Sequence, residues 1–342
     1  MMASVRPVRL AEVNWDDTFF AGPGAMDAPG PSLENSLKSF GVLSPPVLWA
    51  RDRAPYSIVD GFKRLGWLRG REIPEVECFV YPSETRREEL ILTRIEGRLF
   101  GPPINGAEKA WIVSRLSEAA PEEIVLSRYL PALDIAGRRN AFDRWLRLAS
   151  AGAGLLAALA SGAIHERAAL ELAEWGEDAG TAALSILMDL KCSASIQVEI
   201  IERIAEIAVR DGRTREQVLR QPEMEGILHD SRMHHRQKTQ AIRDFLERQR
   251  LPRLKAKEAE FVKRLEALSL PKAVRLLPPP AFEGERWRLE IDFSRPRELL
   301  EILQEMESFA VSTKLDVLMG GSPDGDAPGN PHSPSPGVRA DG

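Results

Sequence analysis

From Asn105 to about Gln249 the chain runs through one helical periodicity after another, with no run that reads as a strand. Ile196, Ile200, Ile204 and Ile207 recur at the spacing that keeps one face of a helix apolar. About 145 residues of that kind cannot contribute a sheet, so any β-structure must come from the flanks. Both flanks supply it. Before Asn105, Pro46–Ala50, Tyr56–Val59 and Val76–Tyr81 read as strands between helices at Leu33–Phe40, Phe62–Arg69 and a third running to about Glu96. Ser32 and Ser83 read as N-caps, and Gly41 and Gly70 as stops. Beyond Gln249, Phe261–Leu268 reads as helix and Ala273–Leu277 as strand. Trp287, Leu289, Ile291 and Phe293 then alternate with Arg288, Glu290 and Asp292 in strict period two, the pattern of a half-buried strand. A helix opened by Ser294 and Pro296 follows, with Leu299, Leu303 and Met306 on one side.

The expected class is therefore α+β in three modules: a small α/β domain at 1–104, a helical domain at 105–250, and an α-β-β-α unit at 255–315. With 342 residues, a prior of ~150 per domain gives about two domains or three small ones. Residues 320–342 hold 11 Gly or Pro among 23 and read as a disordered tail. Phe19–Pro31 has a similar composition and reads as a loop. The α-β-β-α unit is too small to enclose much core, and pairing with a second copy would bury its open face.

Composition closes several routes. Two cysteines, Cys78 and Cys192, exclude a disulfide scaffold and a multi-cysteine zinc site. Residues 1–20 carry Glu12, Asp16 and Asp17 and no apolar run, and Ala149–Ile164 is too short to span a bilayer, so the expectation is a cytoplasmic protein with no membrane partner. The net charge of −5, from 46 basic and 51 acidic residues, does not announce a nucleic-acid binder, but it leaves room for local basic patches.

Three segments carry such chemistry. In Tyr56-Ser-Ile-Val-Asp-Gly-Phe-Lys-Arg-Leu a strand ends and Asp60–Gly61 opens a helix. Unpaired backbone N–H groups and the positive end of the helix dipole meet Lys63 and Arg64 there, which is where a phosphate would be held. A solvated basic turn is the plain structural alternative. Next, Glu122–Leu133, a turn at Asp134–Arg138 and Arg139–Ala149 make a helix-turn-helix pattern. Arg138, Arg139, Asn140, Arg144 and Arg147 lie on or before the second helix, and Phe142, Trp145, Leu146 and Leu148 supply its buried side. Many bundles share that geometry without binding DNA. Finally, Arg232–Lys257 holds nine Arg or Lys against Asp244 and Glu247, which suits either non-specific phosphate contact or a solvated basic helix.

The first two segments and the C-terminal unit resemble the ParB/sulfiredoxin-like superfamily, and specifically ParB. Its N-terminal domain has G-x-x-x-P-x-V followed by I-V-x-G-x-x-R; here these are Gly41–Val47 and Ile58-Val-Asp-Gly-Phe-Lys-Arg64. The resemblance implies a CTP pocket, with Ser44, Pro45 and Pro46 near base and ribose and Gly61, Phe62, Lys63 and Arg64 around the phosphates. Phe62 stands where sulfiredoxin needs its cysteine, so that chemistry is excluded. Where the family has E-N-x-x-R, this chain has Glu96-Gly97-Arg98-Leu99-Phe100. Glu96 is then the implied catalytic and Mg²⁺-binding carboxylate and Arg98 a further nucleotide contact, while Gly97 offers no side chain. Asn105-Gly-Ala-Glu108-Lys109-Ala110 resembles the helix start N-P-x-E-x-A, and Leu159–Ala168 resembles L-x-x-G-x-I-x-x-x-H-A. Arg288-Leu-Glu-Ile-Asp-Phe293 resembles the strand of the ParB dimerisation domain.

The resemblance implies a CTP-gated, dimeric, nucleoid-associated DNA clamp of the partitioning type, with DNA, a second copy and a ParA-type ATPase as partners. Two other functions stay open at this point. One is a ParB-fold phosphotransferase using Glu96 or Asp60. The other is a transcriptional regulator that binds no nucleotide.

Overall fold

The structure is a computed structural model that describes residues 3–51, 55–268, 270–283 and 286–310. It divides into two compact units, Met1–Leu246 and the chain from Glu247 onward. The disordered tail expected at 320–342 and the last residues of the expected 255–315 unit lie outside the described residues.

The first unit opens with a five-stranded mixed sheet. Its strands are β1 (Ser4–Arg9), β2 (Val13–Asn14), β3 (Val47–Trp49), β4 (Tyr56–Asp60) and β5 (Glu75–Tyr81), in the order β1-β5-β3-β4-β2. Helix α1 (Pro31–Phe40) lies between β2 and β3 in the chain, and α2 (Phe62–Arg69) between β4 and β5. In β4, Ser57, Ile58 and Val59 are all buried, the mark of a strand covered on both faces. The Ser57 hydroxyl meets this burial by donating to Asp17 Oδ2 at 2.5 Å. Strands β3 and β4 run antiparallel with a register shift between Val47 and Leu48, so Val47 faces Asp60 while Leu48 faces Ile58. That irregularity sits beside the turn into α2. Irregularities of this kind re-aim the chain next to functional sites.

Two expected caps are corrected. Helix α1 starts at Pro31 with Gly30 as its cap, not at Ser32, because proline at the first helical position comes with its φ already set. Helix α3 (Arg87–Leu99) starts after Arg86 with no side-chain cap, and Ser83 lies in the preceding turn. The stop at Gly41 holds, with φ +71 and its N–H bonded to Leu37 O.

The helical part follows as α4 (Gly106–Ala119), α5 (Glu122–Ile124), a π turn at Val125–Tyr129, α6 (Leu130–Ala132), α7 (Arg139–Ala149), α8 (Ala153–Ala160), α9 (Glu166–Ala173), α10 (Glu177–Leu190), α11 (Ala194–Asp211), α12 (Arg215–Leu219), α13 (Pro222–His229) and α14 (His235–Arg250). The one helix expected over Glu122–Leu133 is thus interrupted by a π turn. Ile200, Ile204 and Ile207 are buried as their spacing requires, and a single core runs from the sheet into these helices. Burial pushes the Cys78 thiol up to about 11, and burial also raises that of Cys192, so both are packing residues rather than nucleophiles.

The second unit contains α15 (Pro252–Leu268), an antiparallel pair β6 (Val274–Leu277) and β7 (Arg288–Ile291), and α16 (Pro296–Ala310). Phe261, Phe282 and Trp287 form its aromatic cluster. The inward stripe of α16 carries the buried Ile302 beside half-buried Leu299 and Met306; the expected Leu303 points outward. Leu289, Phe293, Leu300 and Leu303 are each 45% exposed or more, so the described residues leave this apolar surface uncovered.

Candidate functional site

The two segments singled out in the sequence meet at the N-terminus of α2. Gly61 takes φ +92, and a Cβ built on it would lie 2.8 Å from Pro46 Cβ and 3.0 Å from Pro46 Cα. Only glycine lets the backbone turn there and pass so close to Pro46. Gly61 caps α2 with no side-chain acceptor, which leaves the first-turn N–H groups without a capping partner. Arg64, on that first turn, donates through Nη1 to the carbonyl of Ser44. Ser44, Pro46, Gly61 and Arg64 are therefore brought together. Pro45 is half-buried beside them and Lys63 is half-buried with no ion-pair partner among the described residues. Phe62 departs from its expected role at the side-chain level: its ring is 6% exposed and belongs to the core.

The charge balance of this corner was not visible in the motif. Asp60, the last residue of β4, accepts from Arg64 Nη2 at 2.9 Å and from Arg94 Nη1 at 2.6 Å. Arg94 also donates to Val59 O at 3.0 Å and lies over the rings of Phe62 and Trp111. Burial lowers its pKa and Asp60 acts in the opposite sense. Arg94 could have been found from the sequence. It falls on the stripe Leu90, Ile91, Ile95 that α3 buries, and a cation on a buried stripe demands a carboxylate. Lys63, Arg64 and Arg94 against Asp60 leave the corner net positive.

The second expected motif is differently arranged. Arg98 donates to Glu108 from Nε at 2.5 Å and Nη2 at 2.8 Å, and to the carbonyls of Pro102 and Pro103. It pins the loop between α3 and α4, where Asn105 accepts from Glu108 N at 3.0 Å as the cap of α4. Glu96 Oε1 accepts from Tyr129 Oη at 2.7 Å and pairs with Arg128 at 2.8 Å. Burial, then the bond to Glu96, pushes the Tyr129 phenol up to about 12. Glu96 thus ties α3 to the π turn. Both bonds go to Oε1, and among the described residues no cluster of three His, Cys, Asp or Glu that could hold an ion is present.

On the candidate recognition helix α7, Arg139 pairs with Glu122 and Asp143, Arg144 with Glu171 and Glu174, and Arg147 with Glu174. The side chains of Arg138 and Asn140, both exposed at its start, have no ion-pair or hydrogen-bond partner among the described residues. The turn before it is tight, since a Cβ on Gly137 would lie 2.4 Å from Leu126 O. In the basic stretch, Arg232 pairs with Asp230 and Arg243 with Glu199, while Lys238 donates to Leu228 O. No described helix is long and apolar enough to cross a membrane.

No protein-family model matches this chain, and no curated protein matches it with significance. Its neighbours among solved structures are ParB chromosome-partitioning proteins. The C-terminally truncated ParB of Caulobacter crescentus complexed to the centromeric parS site is 17% identical, with a TM-score of 0.31, over 56% of this chain and 96% of that one. The same protein complexed with CTPγS is 18% identical with a TM-score of 0.22, over 54% of this chain and 99% of that one. A Pnob8-like ParB-N domain is 13% identical with a TM-score of 0.38, over 72% of this chain and 97% of that one. At such identities and TM-scores these are structures the chain is similar to, and what its site can do follows from its own residues.

Proposed function

We propose that this chain is a ParB-like, partitioning-type DNA-binding protein whose N-terminal module holds a nucleoside triphosphate, CTP, at the start of α2. The observation that carries the reading is the closure of Gly61 on Pro46 with Arg64 bonded to the Ser44 carbonyl. It joins two motif segments, separate in sequence, around an uncapped helix N-terminus in a net positive corner. Lys63, Arg64 and the first-turn amides take the phosphates; Ser44 and Pro45 lie on the side where base and ribose would rest. Mg²⁺ enters on the triphosphate rather than in a protein cage, in keeping with its preference for substrate phosphates and water. DNA contact falls to the start of α7 at Arg138 and Asn140, and the uncovered apolar surface of the C-terminal unit supports assembly of two copies. A ParA-type ATPase is the partner that the family likeness adds, and the nucleoid is then where the protein works.

The engagement of Glu96 by Tyr129 and Arg128 favours a second reading, a DNA-binding regulator that uses no nucleotide. Titration calorimetry with CTP, ATP, GTP and UTP in excess Mg²⁺, with and without DNA, separates the two. The first requires CTP to bind and Arg64→Ala to abolish that binding. Retardation of DNA by a protein that ignores all four nucleotides establishes the second.

A further inference from the structure

The carboxylate that closes β4 is placed where it opposes the ligand. Its oxygens lie 2.6 Å from Arg94 Nη1 and 2.9 Å from Arg64 Nη2, and its side chain is 46% exposed against 13% and 16% for the two arginines. The cations sit inward and the anion sits over them on the solvent side. Arg64 has already committed one amino group to Ser44 O. A phosphate oxygen that reaches Arg64 from solvent therefore arrives within a few ångströms of the Asp60 carboxylate. At that separation two anions repel strongly, and the half-buried setting screens them less than bulk water would. Meanwhile Asp60 keeps Arg94, a largely buried cation, from standing unpaired.

We propose that Asp60 is a built-in brake on anion binding: it neutralises Arg64 and Arg94 in the empty protein and weakens the grip of the same corner on an oligophosphate. This rests on the phosphate assignment made above. It gives Asp60 two opposed effects, on folding and on affinity, which no purely structural residue has. A structural carboxylate would, when neutralised, lower both stability and binding. The brake lowers stability and raises binding.

The test measures inorganic tripolyphosphate and CTP by titration calorimetry on the full chain, with the melting temperature of each variant in parallel. Asp60→Asn keeps an acceptor for Arg94 and removes the charge. It is expected to bind tripolyphosphate at least ~10-fold more tightly than the wild type while melting at a lower temperature. Should Asp60→Asn not fold, Arg94→Met with and without Asp60→Asn makes the same comparison without a stranded buried cation, and the double variant is expected to bind more tightly than Arg94→Met alone. Equal or weaker binding on removal of the charge overturns the brake and leaves the phosphate assignment standing. If neither the wild type nor any Asp60 variant binds tripolyphosphate or CTP, the phosphate assignment itself falls, and the brake with it.

Discussion

Replacing Gly61 by alanine loads two separable costs on the same position. The first is conformational: φ is +92, where an L side chain costs about 1–2 kcal/mol. The second is steric. The new Cβ would lie 2.8 Å from Pro46 Cβ and 3.0 Å from Pro46 Cα, both rigid, and 3.3 Å from Arg64 Nη2, so the β3 end and α2 must part by a few tenths of an ångström. Overpacking of that kind costs about 1–3 kcal/mol. The expected loss for Gly61→Ala is then about 2–5 kcal/mol. At roughly 2–4 °C per kcal/mol for a unit of this size, it appears as a drop of ~4–20 °C in melting temperature. Gly212→Ala is the control: Gly212, the cap of α11, has the same left-handed conformation with φ +62 and ψ +29, and nothing lies within 4 Å of the added Cβ, so only the conformational cost applies. The difference between the two variants, followed by tryptophan fluorescence against urea and temperature, isolates the contact with Pro46. The reasoning is refuted if Gly61→Ala costs no more than Gly212→Ala. It also requires CTP binding to fail in Gly61→Ala and to survive in Gly212→Ala, because only the former moves Arg64 away from Ser44.

Two further outcomes follow from the same geometry. The Tyr129 phenol ionises near pH 10 when unfolded but only at about 12 in the native state, so the unfolded chain gives up its proton first and stability falls as pH rises from about 10 to 12. Urea melts across that window should show the decline in the wild type and a flatter profile in Tyr129→Phe; identical profiles would remove the raised Tyr129 phenol, from burial first and the Glu96 bond second, from the account. On α7, Arg138→Ala is expected to weaken DNA binding and reduce the salt slope by about 1, since that side chain has no intramolecular carboxylate to leave. Fluorescence anisotropy of a labelled duplex at several salt concentrations reads this directly, and an unchanged slope would take Arg138 off the DNA.

What the sequence disclosed follows its strongest punctuation. Phe62–Arg69 and Arg139–Ala149 form with the expected bounds, because glycines frame the first and a glycine-containing turn precedes the second. Strands β1 and β2 were not legible. β1 reads Ser-Val-Arg-Pro-Val-Arg, is exposed except at Val8, and lies at the sheet edge, where proline is tolerated and no buried alternation is imposed. The loop expected at Phe19–Pro31 ends one residue early, at Gly30, and within it Phe20 is 2% exposed and packs edge-on against Trp49, which composition alone cannot reveal. Within the site, Gly61 and Arg64 were legible as a local motif. Arg94 was legible only as a cation on the buried stripe of α3; that its partner is Asp60, 34 residues away, and that Glu108 holds Arg98, 10 residues away, was not.

That last point bears on every cation in the chain. Fifty-one carboxylates face 46 Lys and Arg, so the availability of an arginine matters more than its presence. Arg144 and Arg147 pair with Glu171 and Glu174 at the surface, with both partners a third exposed or nearly so or more. Exposed pairs of this kind are worth about 0.2–1 kcal/mol. A charge-assisted bond to a phosphate is worth about 1.5–3 kcal/mol, so a DNA backbone could draw these arginines from α9 at little cost. Arg98 is different. Its fork meets both oxygens of Glu108 with 23% and 19% of the two side chains exposed, and it holds two carbonyls of the following loop as well. Releasing it for a nucleotide would unpin that loop and strand Glu108 at the start of α4. Arg98 therefore acts as the staple between α3 and α4, whereas Arg64 would meet a phosphate by exchanging the single bond it makes to half-exposed Asp60.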